Sequence, residues 1–289
     1  MPLIADIHVH VQPWEQIKPD VLAKLKGKHE RGYLQALMTS TERFVQYLDE
    51  EGIQVAALIN YVAPDVMGFQ PSVNEWVSKF CAGAPSRLLP VGSVHPLHVS
   101  DAEAETRRLI DELGIRMLKV HGPHMLFMPN AYVDGLKGLG DVYRVAQEKG
   151  VPVMVHTGTS FFPGARIKYG DPLALDDVAV DFPELKILMA HGGRPLWTET
   201  AWYLLRRHSN LHLDISGIPP SRLLEWFPRL EEVADKVLFG SDWPEPTVKG
   251  MGANARAVQA LPLPDDVLQK ILWDNAARMF GLQGPIGPG

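Results

Sequence analysis

Cysteine is almost missing from this 289-residue chain: Cys81 stands alone, so no internal disulfide can form, which suits a reducing cytosol. Long apolar runs are missing as well. No uninterrupted stretch reaches the roughly 20 residues a membrane-spanning helix needs, and the N-terminus shows no basic segment followed by an apolar signal core. Positive charge is in deficit, with 28 Lys and Arg against 34 Asp and Glu and a formal net charge of −6. That balance argues against nucleic acid or an anionic membrane as the main partner. A glycine-rich phosphate loop is also absent after the first apolar run, where His8-Val9-His10-Val11-Gln12-Pro13 stands instead. The expectation is a soluble cytoplasmic protein.

What the chain does have is alternation. Hydrophobic residues make up 46% and charged ones 21%, enough to bury a large core. Short β-rich runs recur at Leu3–Ile7, Gln54–Ile59, Arg87–Val94, Ile115–Val120, Val151–Val155, Lys186–Ala190, Leu211–Ile215 and Val237–Gly240. Most are continuous Val, Ile, Leu, Met and Ala, the pattern of parallel strands covered on both faces. Between them lie helical segments, with capping boxes expected at Thr39–Glu42, Ser72–Glu75 and Ser100–Glu103 and C-terminal caps at Gly52, Gly114 and Gly150. Eight strand–helix units predict an α/β fold, a single (β/α)8 TIM barrel over 1–289, in preference to an open doubly wound sheet. The connections Val11–Ser40, Gly122–Gly135 and Gly158–Asp171, after strands one, four and five, exceed what the fold needs and are expected to wall a site. The glycine- and proline-rich end, 284–289, is expected to fray.

Chemistry concentrates where strands end. His8 and His10 sit two apart, so an extended strand points both to one face, about 6–7 Å apart along it. A lone pair of this kind is more often a set of satisfied core histidines than a metal site. Strand four, however, ends with Lys119, strand five with His156, strand six with His191 and strand eight with Asp242. A barrel gathers these ends at one mouth, and imidazoles with a carboxylate suit a transition metal better than calcium.

Five segments then resemble, in order, the motifs of the amidohydrolase superfamily: Ala5–His10, Met154–Gly158, Met189–Gly193, Leu213–Gly217 and Leu238–Pro244. The nearest likeness is to the branch of metal-dependent TIM-barrel hydrolases and aminocarboxymuconate-semialdehyde-decarboxylase-like enzymes. Asn275–Phe280 is similar to that branch's last helix. The resemblance implies one divalent ion, zinc, held by His8, His10, His156 and Asp242. Asp242 would also take a proton from the activated water, and His191 would be an acid/base group or a ligand to a second ion. Lys119 would bind an anionic substrate, pair with a carboxylate or, carbamylated, bridge two metals.

Around this set, Trp14, Phe161, Phe162 and Trp243 are expected to wall an apolar pocket, and Arg166 and Arg194 to clamp a substrate carboxylate. His95, His121 and His124 read as structural histidines. The function expected is a hydrolase of a small-molecule amide, ester or lactone, with non-oxidative decarboxylation of an aromatic or unsaturated acid as the alternative. A silent metal-binding module is disfavoured because no strand-end ligand is missing. The family resemblance also implies a homo-oligomer.

Overall fold

Eight short runs of buried residues form β1 (Ala5–His10), β2 (Val55–Ile59), β3 (Leu88–Gly92), β4 (Met117–Val120), β5 (Val153–His156), β6 (Ile187–Ala190), β7 (Leu211–Asp214) and β8 (Val237–Leu238). The computed structural model describes residues 3–24 and 31–284; most of the tail expected to fray, and 25–30 of the first long connection, lie outside them. Neighbouring strands pair in parallel in the order β1 to β8, a nearly closed barrel with helices between the strands. Every residue of β2, β4, β5 and β6 is buried. This is why those strands read as continuous apolar runs: the barrel interior covers one face and the helices the other.

The remaining gap, between β8 and β1, is bridged largely by the residues that follow β8. Ile7 N–H donates to Phe239 O at 3.1 Å, Asp242 N–H to His8 O at 2.9 Å, and His10 N–H to Trp243 O at 2.7 Å. Asp6 Oδ1 reinforces the join by accepting Ser241 N–H at 2.9 Å and His8 N–H at 3.1 Å. The pairing of β1 with β2 slips between Asp6 and Val9, a bulge that bends the strand where His8 sits.

Strand ends and caps differ in detail from the expectation. β1 runs on through His10, and β8 is only two residues long. Ser40 caps helix Thr41–Glu51 by accepting Arg43 N–H, and Asp101 caps Ala102–Asp111 by accepting Ala104 N–H. Both are extended, whereas Ser72 is already helical and makes no cap bond. The cap is therefore the residue at which the backbone turns, one place after Thr39 and Ser100. Gly52, Gly114 and Gly150 do take left-handed angles, φ 74°, 65° and 66°. Among the described residues no helix is long and apolar enough to cross a membrane.

Candidate active site

The C-terminal strand ends surround a cavity of about 730 Å³ that holds His8, His10, Lys119, His156, His191, Arg194 and Asp242. Two of these residues, His191 and Asp242, take left-handed backbone angles, φ 69° and 67°. Such angles are costly for a residue with a side chain and persist where surrounding structure enforces them, as at functional sites. Gly240 makes the packing below them feasible. A Cβ there would lie 2.5 Å from Asp214 Oδ1 and 2.7 Å from His8 Cβ.

His8 is held from behind. Its Nδ1–H donates to Asp214 Oδ2 at 2.6 Å, and Ser216 Oγ–H donates to the same oxygen at 2.8 Å. The proton is thereby fixed on Nδ1, and the lone pair lies on Nε2, which is buried without a hydrogen-bond partner. Burial, followed by the Lys119 ammonium, pushes the His8 pKa well below 6.5, so the ring is neutral near pH 7. Asp242 Oδ1 lies 3.4 Å from that nitrogen and 3.3 Å from His10 Nε2. Burial opposes ionisation of Asp242, but His8, His10 and Arg194 outweigh it and lower its pKa.

A lone pair on His8 thus faces a carboxylate oxygen with no proton assigned between them, an arrangement a cation relieves. Donors about 2.0–2.1 Å from one tetrahedral ion stand about 3.3–3.4 Å apart, close to the separations around Asp242 Oδ1. The residues fit a divalent metal. His156 Nε2 is a second buried ring nitrogen without a partner. The three cavity residues whose donors all lie within 4.8 Å of one another are nevertheless His8, His191 and Asp242. His191 Nδ1 lies 2.9 Å from the Ser216 carbonyl, which can only accept, so Nδ1 carries the proton and Nε2 the lone pair. Burial, then Arg194, lowers its pKa well below 6.5.

Positive charge sits beside this group. Arg194 donates through Nη2 to Asp242 Oδ2 at 3.2 Å and through Nε to the Gly217 carbonyl. Lys119 is buried, with Nζ 3.4 Å from the Met154 sulfur, and burial lowers its pKa to about 8 against the pull of Asp214 and Asp242. Trp14, Phe161 and Phe162 do line the cavity, from the first and fifth connections. So do His121 and His124, read from sequence as structural. Their rings stack 3.6 Å apart, and His121 stacks on His156 at 3.9 Å. His124 also links Tyr61 OH at 2.9 Å to Ser160 Oγ at 2.8 Å.

Two expectations do not match the placement. Arg166 is exposed, outside the residues lining the cavity, because its turn is tied by its backbone to Pro123. Trp243 is fully buried on the outer side of the barrel against Phe44 and Tyr47 and is not among the residues lining the cavity. Sequence reasoning also gave no role to Asp6, Asp214 or Ser216, although Asp6 and Asp214 lie inside the quoted motifs, two residues from His8 and from Ser216.

The amidohydrolase family model matches residues 5–282. This chain belongs to the amidohydrolase family. Among solved structures, this amidohydrolase resembles an uncharacterized TIM-barrel protein from Bordetella bronchiseptica (21% identity, 97% of this chain and 99% of that one, TM-score 0.76). It also resembles a probable 2-pyrone-4,6-dicarboxylic acid hydrolase from Acinetobacter baumannii with citric acid bound (16%, 96% and 99%, TM-score 0.69). A third is a dihydroxybenzoic acid decarboxylase from Polaromonas with bound manganese and the inhibitor 2-nitroresorcinol (18%, 98% and 98%, TM-score 0.67). At these identities the likeness concerns the fold. No curated protein matches the sequence of this amidohydrolase.

Proposed function

We propose that this amidohydrolase is a metal-dependent hydrolase cleaving an amide, ester or lactone bond in a small carboxylate-bearing molecule. His8, His10, His156 and Asp242 hold one divalent ion, zinc, which when bound supplies Lewis acidity and acidifies water. The observation that carries the reading is the hydrogen bonding on the cavity floor, which leaves unprotonated groups facing the cavity. His191 keeps its Nε2 lone pair free because Nδ1 is committed to Ser216, and Asp242 is held ionised, so both stand unprotonated near pH 7 and able to accept a proton. Hydrolysis begins with removal of a proton from water, and bases are what it requires. His191 takes that proton at Nε2 and returns it to the leaving group. Arg194 and Lys119 bind the substrate carboxylate, while Trp14, Phe161 and Phe162 cover its apolar part and exclude bulk water.

A second reading, decarboxylation, has its own observation. Lys119 has no carboxylate within ion-pair reach among the described residues, and with a pKa near 8 it is an acid able to protonate carbon after carbon dioxide leaves. The inhibitor-bound Polaromonas decarboxylase supports this reading on the same fold. A panel of lactones, amides and aromatic acids in ¹⁸O-labelled water tests the choice. Incorporation of ¹⁸O without carbon dioxide supports hydrolysis. Carbon dioxide release, with uptake of a solvent proton on carbon that Lys119→Met abolishes, replaces it with decarboxylation.

A further inference from the structure

Among the described residues, one more group of potential metal-binding side chains stands together outside the central cavity. Asp65, in the connection after β2, and His95 and His98, in the connection after β3, bring one donor atom each within 4.8 Å of the others. His98 Nε2 lies 3.1 Å from Asp65 Oδ2, and the His95 and His98 rings meet edge-on with centroids 4.4 Å apart. We propose that Asp65, His95 and His98 form a second, peripheral site for a divalent first-row transition metal. It is independent of the function assigned to the central cavity.

The donor types select the ion. Two imidazoles and one carboxylate suit zinc, nickel or copper, whereas calcium and magnesium prefer oxygen throughout. The three donors also divide into one fixed and two adjustable. His95 is buried, packs edge-on against Phe127 at 5.5 Å, and accepts only a 3.4 Å contact from Leu97 N–H. Burial lowers its pKa to about 4, leaving a lone pair available near pH 7. Asp65 and His98 side chains are 60% and 36% exposed. Three donors with bonds of about 2.1 Å to one ion stand about 3.4–3.6 Å apart, so rotation of the two exposed side chains by about an ångström completes the site. The adjoining hollow of about 540 Å³, which His95, His98 and Glu105 help to line, leaves room for solvent or a small anion to fill the coordination shell.

The location gives the site a purpose. Lys18, in the first long connection, donates to the Asp65 carbonyl, and His95 has a backbone hydrogen-bond partner in Met125. Met125 ends the turn Gly122–Met125 that carries His124 into the central cavity. An ion on these three side chains therefore ties together the connections after β1, β2, β3 and β4, and acts as a structural clamp on the cavity wall.

The test is equilibrium dialysis of protein whose central site has been filled with zinc, against Cu²⁺ and, separately, Ni²⁺. One further equivalent is expected, with electron paramagnetic resonance of the copper form showing nitrogen coupling from two imidazoles. His98→Ala and Asp65→Ala, both at exposed positions, should each weaken that equivalent by about a hundredfold or more, with the central zinc retained. Absence of the extra equivalent overturns the proposal. So does an equivalent that survives both substitutions, or a copper signal lacking imidazole nitrogen.

Discussion

Replacing Asp214 by Asn perturbs the metal site without touching a proposed ligand. Asp214 Oδ2 accepts His8 Nδ1–H at 2.6 Å and Ser216 Oγ–H at 2.8 Å, while Oδ1 accepts Ser216 N–H at 2.9 Å. An amide can keep its oxygen on only one of these sides. With the oxygen on Ser216 N–H, the new NH₂ points a donor at His8 Nδ1, which must then accept. The His8 proton moves to Nε2, the nitrogen facing Asp242, and the lone pair meant for metal is lost. The flipped amide sets NH₂ against Ser216 N–H and leaves a buried donor unpaired, at a cost of about 1–3 kcal/mol. Loss of such an outer partner costs about 10–100-fold in metal affinity, and the tautomer reversal puts Asp214→Asn at the upper end, about 100-fold or 2.7 kcal/mol. Competition with a chromogenic chelator near neutral pH measures the affinity. Nitrogen NMR of the metal-free protein reads the His8 tautomer. A variant that folds, stays within about twofold of the parent affinity and keeps the proton on Nδ1 would refute the reasoning.

Further outcomes follow from other residues. Elemental analysis should find metal in the purified protein and a severe loss in His8→Ala and in His156→Ala; unchanged content in both removes these residues from the site. His191→Asn should keep its metal but lose about a hundredfold or more in turnover, and metal loss instead would make His191 a ligand. His212, remote from the cavity, is kept neutral by burial, with its pKa lowered from 6.5 to about 4. Its contribution to stability is complete above pH 6.5 and lost as pH falls towards 4, about 2 kcal/mol of it between pH 7 and pH 5. Urea unfolding at those two pH values should show that share missing in His212→Gln, and parallel losses in both proteins would sink the assignment.

The barrel was legible because both faces of its strands are covered, so β2, β5 and β6 stand out as apolar runs whatever surrounds them. His8, His10, His156, His191 and Asp242 were legible as strand-end residues of types that rarely end strands by chance. Asp214 and Ser216 were not, since their roles come from meeting His8 across 206 and 208 residues of sequence. His121 and His124 were read as structural because a residue just past a strand end gives no hint of which way its connection folds. Trp243 failed for a related reason: in the left-handed turn at Asp242, consecutive residues send one side chain into the mouth and the next against Phe44.

The join between the first and last strands has a consequence for how this molecule comes into being. Asp6 and Ser241, which meet there, are separated by 235 positions, so during synthesis the opening strand waits with one edge bare until nearly the whole chain has been made. Contacts of such long range are slow to form, because loop entropy is lost before they give anything back. An ion held by the proposed ligands His8 and His10 on one stave and Asp242 on the other would work as a clasp on the hoop. At a thousandfold excess over its dissociation constant it adds about 4 kcal/mol to the closed form and nothing to the open one. On the proposed function, metal supply would then be a condition of maturation as well as of catalysis, and protein refolded without the ion is expected to show its final stave opening first.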